Sequence, residues 1–253
     1  MPADAIPLVE FDADPEAVVQ PKPLRLTEPM PIRAIACFFH EVIAEIAQQG
    51  ARQIGAFGVE LGGHPIYRLT VEDQTTAVFH PGVGAPLSVL HVEQAIASGV
   101  SKVIACGGAG AVVPGLALGH VVVPTAAVRD EGTSYHYYPA TREIPADPAA
   151  VAAATEVLDE RGVPYTVGKT WTTDAPFRET AAKIRARRDE GCITVEMETA
   201  ALLAVAQARK VAFAQYLYAG DDVSGERHDH RRWTTTSARR DLFWLAYEAV
   251  HRL

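Results

Sequence analysis

The feature that most constrains the fold is the stretch 194–222, in which two acidic clusters are joined by a long apolar run. The glutamates of segment 196–198 precede apolar residues that predict a helix. A buried strand is predicted next, and it ends on Asp221 and Asp222. Helix and strand together can return the chain to the same edge of a sheet, so the two clusters can meet there. Carboxylates that meet in this way indicate sugar recognition and acid chemistry.

Composition excludes several classes of function. The net charge of -8 argues against a nucleic-acid partner, because phosphate binding needs a basic field. No apolar run approaches the roughly 20 residues of a membrane helix, and the acidic, proline-rich N-terminus is unlike a secretory signal. The 3 cysteines have no metal-type spacing and are expected to be buried free thiols. We therefore expect a cytoplasmic protein that binds neither nucleic acid nor membrane.

Proline content divides the chain. Residues 1–31 carry 7 of the 17 prolines, which disfavour both helices and central strands. We expect residues 1–33 to form an extended arm that lies on the body or on a neighbouring subunit. Residues 34–253 show strands alternating with helices and no linker, which predicts one layered α/β domain with a mixed sheet. Within it, apolar spacing predicts a helix over residues 35–48.

Two glycine turns follow predicted strands. Gly82 and Gly84 come after a strand at 75–79 and before a helix that begins near Pro86. Such a turn exposes backbone N–H groups at a helix N-terminus and can favour an anion, although a tight turn without a ligand remains an alternative. Gly107 and Gly108 follow a strand at 102–106 and would let a substrate pack against its end. We assign Gly84 and Gly107 to an anion and Gly108 to a base.

Two polar segments also follow strands. Thr172, Thr173, Phe177 and Arg178 offer hydroxyls, an aromatic face and a cation that could receive a flat polar base or an anion. The aromatic loop 129–138 is either part of a site or a packed loop at a subunit interface. A third polar segment, 224–233, includes a His-Asp-His run, for which an exposed loop is favoured over a metal site.

Four motifs, taken together, resemble the nucleoside phosphorylase family, which includes uridine phosphorylase, the hexameric purine nucleoside phosphorylases and methylthioadenosine nucleosidase. They are the Gly-Val-Gly-Ala-Pro turn at 82–86, the Gly-Gly-Ala-Gly turn at 107–110, the Val-Arg-Asp-Glu-Gly-Thr-Ser segment at 128–134 and the Val-Glu-Met-Glu-Thr-Ala-Ala segment at 195–201. The match covers about residues 78–222, and the Glu-Met-Glu motif is its most specific part.

The resemblance implies a three-layer α/β/α fold and cleavage of the bond between a ribose and a base. Glu198 resembles the carboxylate that holds the ribose hydroxyls, and Met197 the side chain that packs on the sugar. Glu196 resembles a further ribose or base contact. Asp221 lies where the purine-specific members place the acid that protonates the leaving base. No metal or organic cofactor is implied, and phosphate is the expected co-substrate.

The phosphate-binding half departs from the family pattern. An early Pro-Gly-Asp loop with its arginine is absent, Ala105 replaces a second arginine, and Gly108 replaces a phosphate-binding threonine. Arg33, Arg129 and Arg178 are candidates for a rebuilt anion site. We expect a pentosyltransferase of nucleoside salvage that uses phosphate and forms a homo-oligomer, either a dimer or a trimer of dimers. A nucleosidase that uses water and an inactive nucleoside-binding or storage protein remain alternatives, and the base stays open.

Overall fold

The computed structural model describes residues 6–60, 62–233 and 236–253. These residues contain one sheet of ten strands, flanked by helices, together with short 3-10 turns. The strands are β1 (Arg33–Cys37), β2 (Arg52–Val59), β3 (Gly62–Val71), β4 (Gln74–Phe79), β5 (Lys102–Ala111), β6 (Val121–Asp130), β7 (Glu143–Pro145), β8 (Tyr165–Thr173), β9 (Cys192–Glu196) and β10 (Ala212–Asp222). The helices are α1 (His40–Gln48), α2 (Ala85–Ala97), α3 (Pro148–Glu160), α4 (Ala181–Asp189), α5 (Thr199–Arg209) and α6 (Thr236–Val250).

Helices cover both faces of the sheet, which confirms the expected three-layer α/β/α class with a mixed sheet. One apolar cluster packs α2 and α5 on one face, and a second packs α1, α3 and α6 on the other. Local sequence sets the helix starts: Asp147 caps α3 by accepting a hydrogen bond from the N–H of Ala149, and proline occupies the first turn of both α2 and α3. No helix in the described ranges is long and apolar enough to cross a membrane.

Five of the strands close on themselves. In the ring β5–β10–β6–β8–β9, the last strand pairs back with β5. The pairings of β6 with β10 and of β5 with β9 are antiparallel, whereas the other three are parallel. Strand β5 also pairs with β1, from which β4, β3 and β2 continue as an open sheet. The ring therefore brings the ends of β5, β8, β9 and β10 into one small region.

The proline-rich segment lies on the body of the same chain. Its described residues contain one 3-10 turn, Pro7–Val9, and are otherwise irregular until β1. The N–H of Leu24 donates to Oγ of Ser98 at 2.9 Å, and the N–H of Thr27 donates to the carbonyl of Ile54 at 2.8 Å. Leu26 packs so closely on Gly55 that a Cβ there would lie 2.4 Å from Cδ2 of Leu26.

Two local predictions differ from the structure. The helix expected over residues 35–48 is wrong in its first part, because Arg33–Cys37 forms strand β1 and the helix begins at His40. A short strand buried in a parallel sheet is apolar throughout and merges with the helical pattern that follows it. Glu196, Met197 and Glu198, expected at the start of a helix, precede it instead, because Cys192–Glu196 forms β9 and Glu198 is the residue before α5.

Candidate active site

Glu198 lies where two helix N-termini meet. It occupies the capping position of α5, and its Oε1 accepts a 2.6 Å hydrogen bond from the N–H of Gly84, the capping residue of α2. Gly84 has a φ of 89°, a conformation that glycine adopts readily. The pKa of Glu198 is raised to about 8 by burial and then by the nearby carboxylate of Glu196, although the Gly84 N–H opposes the shift. The structure thus holds one buried carboxyl oxygen at a fixed point.

Glu196 is tied to the protein through both carboxyl oxygens. Its Oε2 accepts the backbone N–H groups of Glu198 at 2.7 Å and Thr199 at 2.6 Å, and its Oε1 accepts the hydroxyl of Thr172 at 2.6 Å. The Thr172 hydroxyl in turn accepts the N–H of Ala200 at 2.9 Å. Burial raises the pKa of Glu196, although these hydrogen bonds oppose the shift. Glu196 and Thr172 therefore fix the start of α5, and half-buried Met197 lies between the two glutamates.

The two acidic clusters meet across Gly110 of β5. Gly110 pairs with Val195 of β9 on one side, and β10 pairs with β5 on the other. A Cβ on Gly110 would lie 3.0 Å from Cγ1 of Val195 and 3.5 Å from Oδ1 of Asp221. The closed ring of strands thus places Asp221 beside the strand end that carries Glu196. The opposite oxygen of Asp221, Oδ2, lies 2.8 Å from Nε2 of His228.

Three further carboxyl groups surround this centre. The N–H of Gly132 donates to Oδ2 of Asp174 at 2.9 Å, and the charge of Asp174 raises the pKa of both Glu131 and Glu198, after burial. Glu179 is half-buried near Asp221, and its pKa is raised to about 7 by burial and then by the Asp221 charge. Sequence reasoning did not select these residues. Asp174 could have been selected as a site residue from sequence, since it follows β8 directly.

The two glycines after Cys106 face different neighbours. A Cβ on Gly107 would lie 3.1 Å from the ring of Phe38, which makes an edge-on contact with His80 at 5.8 Å between ring centroids. A Cβ on Gly108 would lie 2.8 Å from the indole of Trp233. Burial lowers the pKa of His80, which favours the neutral imidazole. The strand end near Gly107 is therefore lined by an aromatic ring and a neutral histidine.

Arg129, expected to contact an anion, organises the aromatic loop. Its guanidinium donates to Oγ of Ser134 at 2.8 Å and to the carbonyl oxygens of Pro139 at 2.7 Å and Tyr138 at 3.1 Å. The same group lies 4.0 Å over the ring of Tyr135. Arg129 is only 5% exposed, so its hydrogen-bonding capacity serves the loop itself. Arginine binds the loop carbonyls with the planar fork that makes it suited to several acceptors.

Arg33 lies at the other end of the sheet from the glycine turns. It is the first residue of β1 and pairs with Lys102, whereas Cys37 pairs with Cys106 at the end near Gly107. Four residue steps along a strand span about 13 Å. The charge of Arg33 instead acts on His251, whose pKa is lowered by burial and then by that charge. The expectation that Arg33 joins the anion site is not met by this geometry.

The remaining predicted base contacts lie at the outer rim. Thr173 is buried at the end of β8, and its Oγ1 accepts the N–H of Ala175 at 3.2 Å. Phe177 and Arg178 belong to a 3-10 turn, Pro176–Arg178, and both side chains are exposed. Phe177 is 99% exposed, so its ring packs on nothing in this chain. Thr172 and Thr173 therefore lie at the buried end of β8, and Phe177 and Arg178 lie at the exposed rim.

A cavity of about 1220 Å³ opens beside this group of residues, between the N-terminal segment and α2. Gly132, Thr133 and Asp174 line one end of it, and Leu8 and Phe11 of the N-terminal segment line another. Neither Glu198 nor Asp221 lines the cavity, so it adjoins the acidic centre rather than containing it. Asp174 belongs both to the lining of the cavity and to the carboxyl groups that surround the acidic centre.

A family model described as the phosphorylase superfamily matches residues 32–250. The chain belongs to the phosphorylase superfamily. The match extends over nearly all of the sheet and helices, and it confirms the resemblance inferred from the four motifs.

Curated relatives of this superfamily member match parts of the chain. A uridine phosphorylase from Thermococcus kodakarensis is 34% identical over 39% of this chain and 36% of the relative. A guanosine phosphorylase from Halorubrum lacusprofundi is 32% identical over 50% of this chain and 52% of the relative. The chain thus spans about a third to a half of the length of these two relatives.

Solved structures share the fold more completely. A uridine phosphorylase from Vibrio fischeri has a TM-score of 0.75 and 22% identity, with 88% of this chain and 93% of that chain covered. A purine nucleoside phosphorylase from Toxoplasma gondii in complex with immucillin-H has a TM-score of 0.76 and 20% identity, with 94% and 96% covered. An AMP nucleosidase from Bacteroides thetaiotaomicron has a TM-score of 0.71 and 21% identity, with 88% of each chain covered. These likenesses confirm the three-layer fold.

Proposed function

We propose that this phosphorylase-superfamily chain is a pentosyltransferase that cleaves the N-glycosidic bond of a nucleoside with phosphate. The products are a free base and ribose 1-phosphate. The observation that carries the proposal is a buried Glu198, held by the Gly84 N–H at 2.6 Å, together with Asp221, whose Oδ1 lies against Gly110 opposite Val195 of β9. A sugar-binding carboxylate and an acid for the base are the two groups that this reaction needs.

Glu198 is proposed to bind the ribose. With Oε1 held by Gly84, the carboxyl group is oriented before substrate arrives, and its other oxygen can accept a ribose hydroxyl. Departure of the base leaves an oxocarbenium-like sugar, and a pre-oriented carboxylate stabilises that positive charge. Met197 packs against the sugar. Glu196 supports the site by fixing the start of α5, because its own oxygens are bound to Thr172 and the α5 backbone.

Asp221 is proposed as the general acid. A departing base carries developing negative charge, and protonation by a positioned side chain contributes typically 10²–10⁴-fold to the rate. Its Oδ1 lies against Gly110 at the strand end where the sugar carboxylate is held. Thr172 and Thr173 form the inner wall of the base site, with Gly108 at its floor and Phe177 and Arg178 at its rim. The base is a purine or a pyrimidine.

A nucleosidase that uses water is the second candidate, and the nucleophile half of the site favours it. Gly84 and Gly107 supply the turns expected around an anion, but Phe38 and a neutral His80 line the strand end near Gly107. Arg33 lies at the opposite end of β1, and the guanidinium of Arg129 is bound to the aromatic loop. With neither arginine at this strand end, a phosphate co-substrate would have to be held by backbone N–H groups and by Arg178.

The proposal includes no metal or organic cofactor, with phosphate as co-substrate, and places the enzyme in the cytoplasm as a homo-oligomer. Fully exposed Phe177, beside exposed Arg178, supports a neighbouring subunit that covers the rim of the site. The arm of residues 1–33 and the domain of residues 34–253 are the proposed units of each subunit. Whether the assembly is a dimer or a trimer of dimers is decided by light scattering, and a monomer would contradict this part.

The function is tested by incubating the protein with inosine, guanosine, adenosine and uridine, with and without phosphate. Release of free base that requires phosphate, together with ribose 1-phosphate, supports the phosphorylase. Undiminished release without phosphate selects the nucleosidase. Thermal shifts with nucleosides but no base release would instead indicate a binding protein. Asp221→Asn should abolish release of a purine base and leave nucleoside binding largely intact.

A further inference from the structure

The loop after β10 is fixed against the acid cluster at its base. The N–H of Asp222 donates to the carbonyl of Asp229 at 2.8 Å, and the N–H of Asp229 donates to the carbonyl of Asp222 at 2.9 Å. Arg231 donates to the carbonyl oxygens of Gly220 at 2.8 Å and Asp221 at 3.0 Å. These contacts hold the loop 222–231 against the end of β10 beside Asp221. The histidine within this loop therefore has a defined position.

That histidine is His228. Its Nε2 lies 2.8 Å from Oδ2 of Asp221, while Oδ1 of Asp221 faces Gly110. The side chain of His228 is 56% exposed, whereas that of Asp221 is 24% exposed. One carboxyl oxygen of Asp221 thus faces the site, and the other contacts an imidazole whose second nitrogen can exchange protons with water.

Other charged or titratable groups near this pair are few among the described residues. The charges of Asp221 and His228 act in opposite senses on Glu179, whose pKa burial and Asp221 raise to about 7. Asp222 follows directly in the chain, with the Arg231 guanidinium 3.9 Å away. On β10 itself, burial and the Asp221 charge raise the pKa of Tyr218, and its hydrogen bond to Arg239 opposes that shift. Among the described residues, His228 lies within hydrogen-bonding distance of the Asp221 carboxyl.

We infer that His228 relays protons from solvent to Asp221, an inference that rests on the proposed function. In the cleavage step, the electron pair of the N-glycosidic bond goes to the base, and the proton on Oδ1 of Asp221 passes to the base nitrogen. The Nε2–H of neutral His228 stabilises the resulting carboxylate. Nδ1 of His228 then takes a proton from water, and the Nε2 proton passes to Asp221. Exchange of the imidazole protons with water then returns His228 to the Nε2–H tautomer, and solvent has supplied one net proton.

A relay differs from a purely positioning contact in its chemistry. An asparagine at position 228 can donate a hydrogen bond to Oδ2 but cannot carry a proton. A 7-methylated purine nucleoside provides a second distinction, because the methylated base leaves without protonation. Loss of the relay should therefore slow inosine cleavage and spare 7-methylinosine, whereas a distorted site should slow both.

The experiment compares the unchanged protein with His228→Ala, His228→Asn and the control His230→Ala, which removes an imidazole from the same loop. With inosine, both His228 variants should lower kcat by about 10- to 100-fold, part of the usual contribution of a general acid. With 7-methylinosine, kcat should change by less than about twofold. Added imidazole should restore much of the His228→Ala rate, and His230→Ala should behave as the unchanged protein.

Three results would overturn the inference. Full activity of His228→Asn with inosine would show that a hydrogen-bond donor suffices. An equal loss on inosine and 7-methylinosine would show that His228 only maintains the site. An unchanged kcat in His228→Ala would show that His228 takes no part in the reaction. If the unchanged protein releases base from neither nucleoside, the purine-cleaving function itself fails, which is a separate result because it appears before any variant is compared.

Discussion

The backbone N–H of Gly84 donates a 2.6 Å hydrogen bond to the buried carboxyl of Glu198, and so joins the turn after β4 to the start of α5. The two residues lie on neighbouring helices of one layer, and both helices begin at this contact. The glycine turn at 82–86 thereby orients the carboxyl that the proposed reaction places on the ribose.

The stability of the protein should fall as pH rises toward 8. Glu198 has a pKa of about 8 in the folded protein against an ordinary 4.5, mainly because it is buried. Between these values the folded state binds more protons than the unfolded state, so the free energy of unfolding decreases by about 1.4 kcal/mol per pH unit. Glu198→Gln should have a smaller slope in denaturant titrations at pH 5, 6, 7 and 8. Parallel slopes for the two proteins would contradict this explanation.

Gly84→Ala should reduce activity more than its effect on stability explains. At a φ of 89° a non-glycine residue is strained by about 1–2 kcal/mol, although a Cβ there meets no atom within 4 Å. Relief of this strain would move the N–H away from Glu198 and raise KM for the nucleoside. Gly99→Ala is the matched control, since Gly99 has a φ of 116°, equally open space and no contact with the site. Equal kinetic losses in both variants would exclude a role for the Gly84 N–H.

Thr172→Val should impair both folding and turnover. The substitution removes the hydroxyl that donates to Glu196 and accepts the N–H of Ala200, and a buried group left without its partner costs about 1–3 kcal/mol. Thr170→Val is the control, because Thr170 lies on the same strand and bonds only to Thr194. Both variants should lower the melting temperature, but only Thr172→Val should lower kcat. A normal kcat for Thr172→Val would show that Glu196 needs no such support.

Arg129→Lys should destabilise the protein without changing the dependence on phosphate. Lysine keeps the charge but cannot reproduce the fork that binds Ser134, Pro139 and Tyr138. We expect a loss of about 1–3 kcal/mol in the free energy of unfolding, since buried carbonyls lose donors. KM for phosphate should stay within about twofold of the unchanged value. A large rise in the KM for phosphate with normal stability would instead indicate that Arg129 binds phosphate.

The sequence predicted most elements because their patterns are local. The residues of α3 have a capping aspartate and a proline at the helix start, and the helix runs from Pro148 to Glu160. Strand β1 was missed because its last four residues are apolar on both faces and continue into an apolar helix. The closed ring could not be predicted, since it depends on pairing β10 with both β5 and β6.

The acidic residues of the site were selectable from sequence because their motif is specific, and the structure places Glu198 at the start of α5, just after β9, and Asp221 beside Gly110 of β5. The anion-binding arginines could not be selected from sequence, because an arginine has the same appearance there whether it binds a ligand or its own loop. Arg129 satisfies its hydrogen bonds locally, and Arg33 lies at the amino end of β1. Strand direction distinguishes Arg33 from a ligand-binding arginine, and the loop conformation distinguishes Arg129. His228 was discounted as part of an exposed loop, and its contact with Asp221 depends on the return of that loop.

The closed ring of strands also determines when the chain can become active. Strands β5 and β10 are far apart in sequence, so their pairing is a non-local event of the kind that slows folding. Until β10 joins β5, Asp221 cannot lie beside Gly110, and the proposed general acid is absent from the end of β5. A nascent or partly unfolded chain therefore lacks the proposed chemistry even when α2, α5 and the Glu198 contact are formed, and activity reports completion of the last strand.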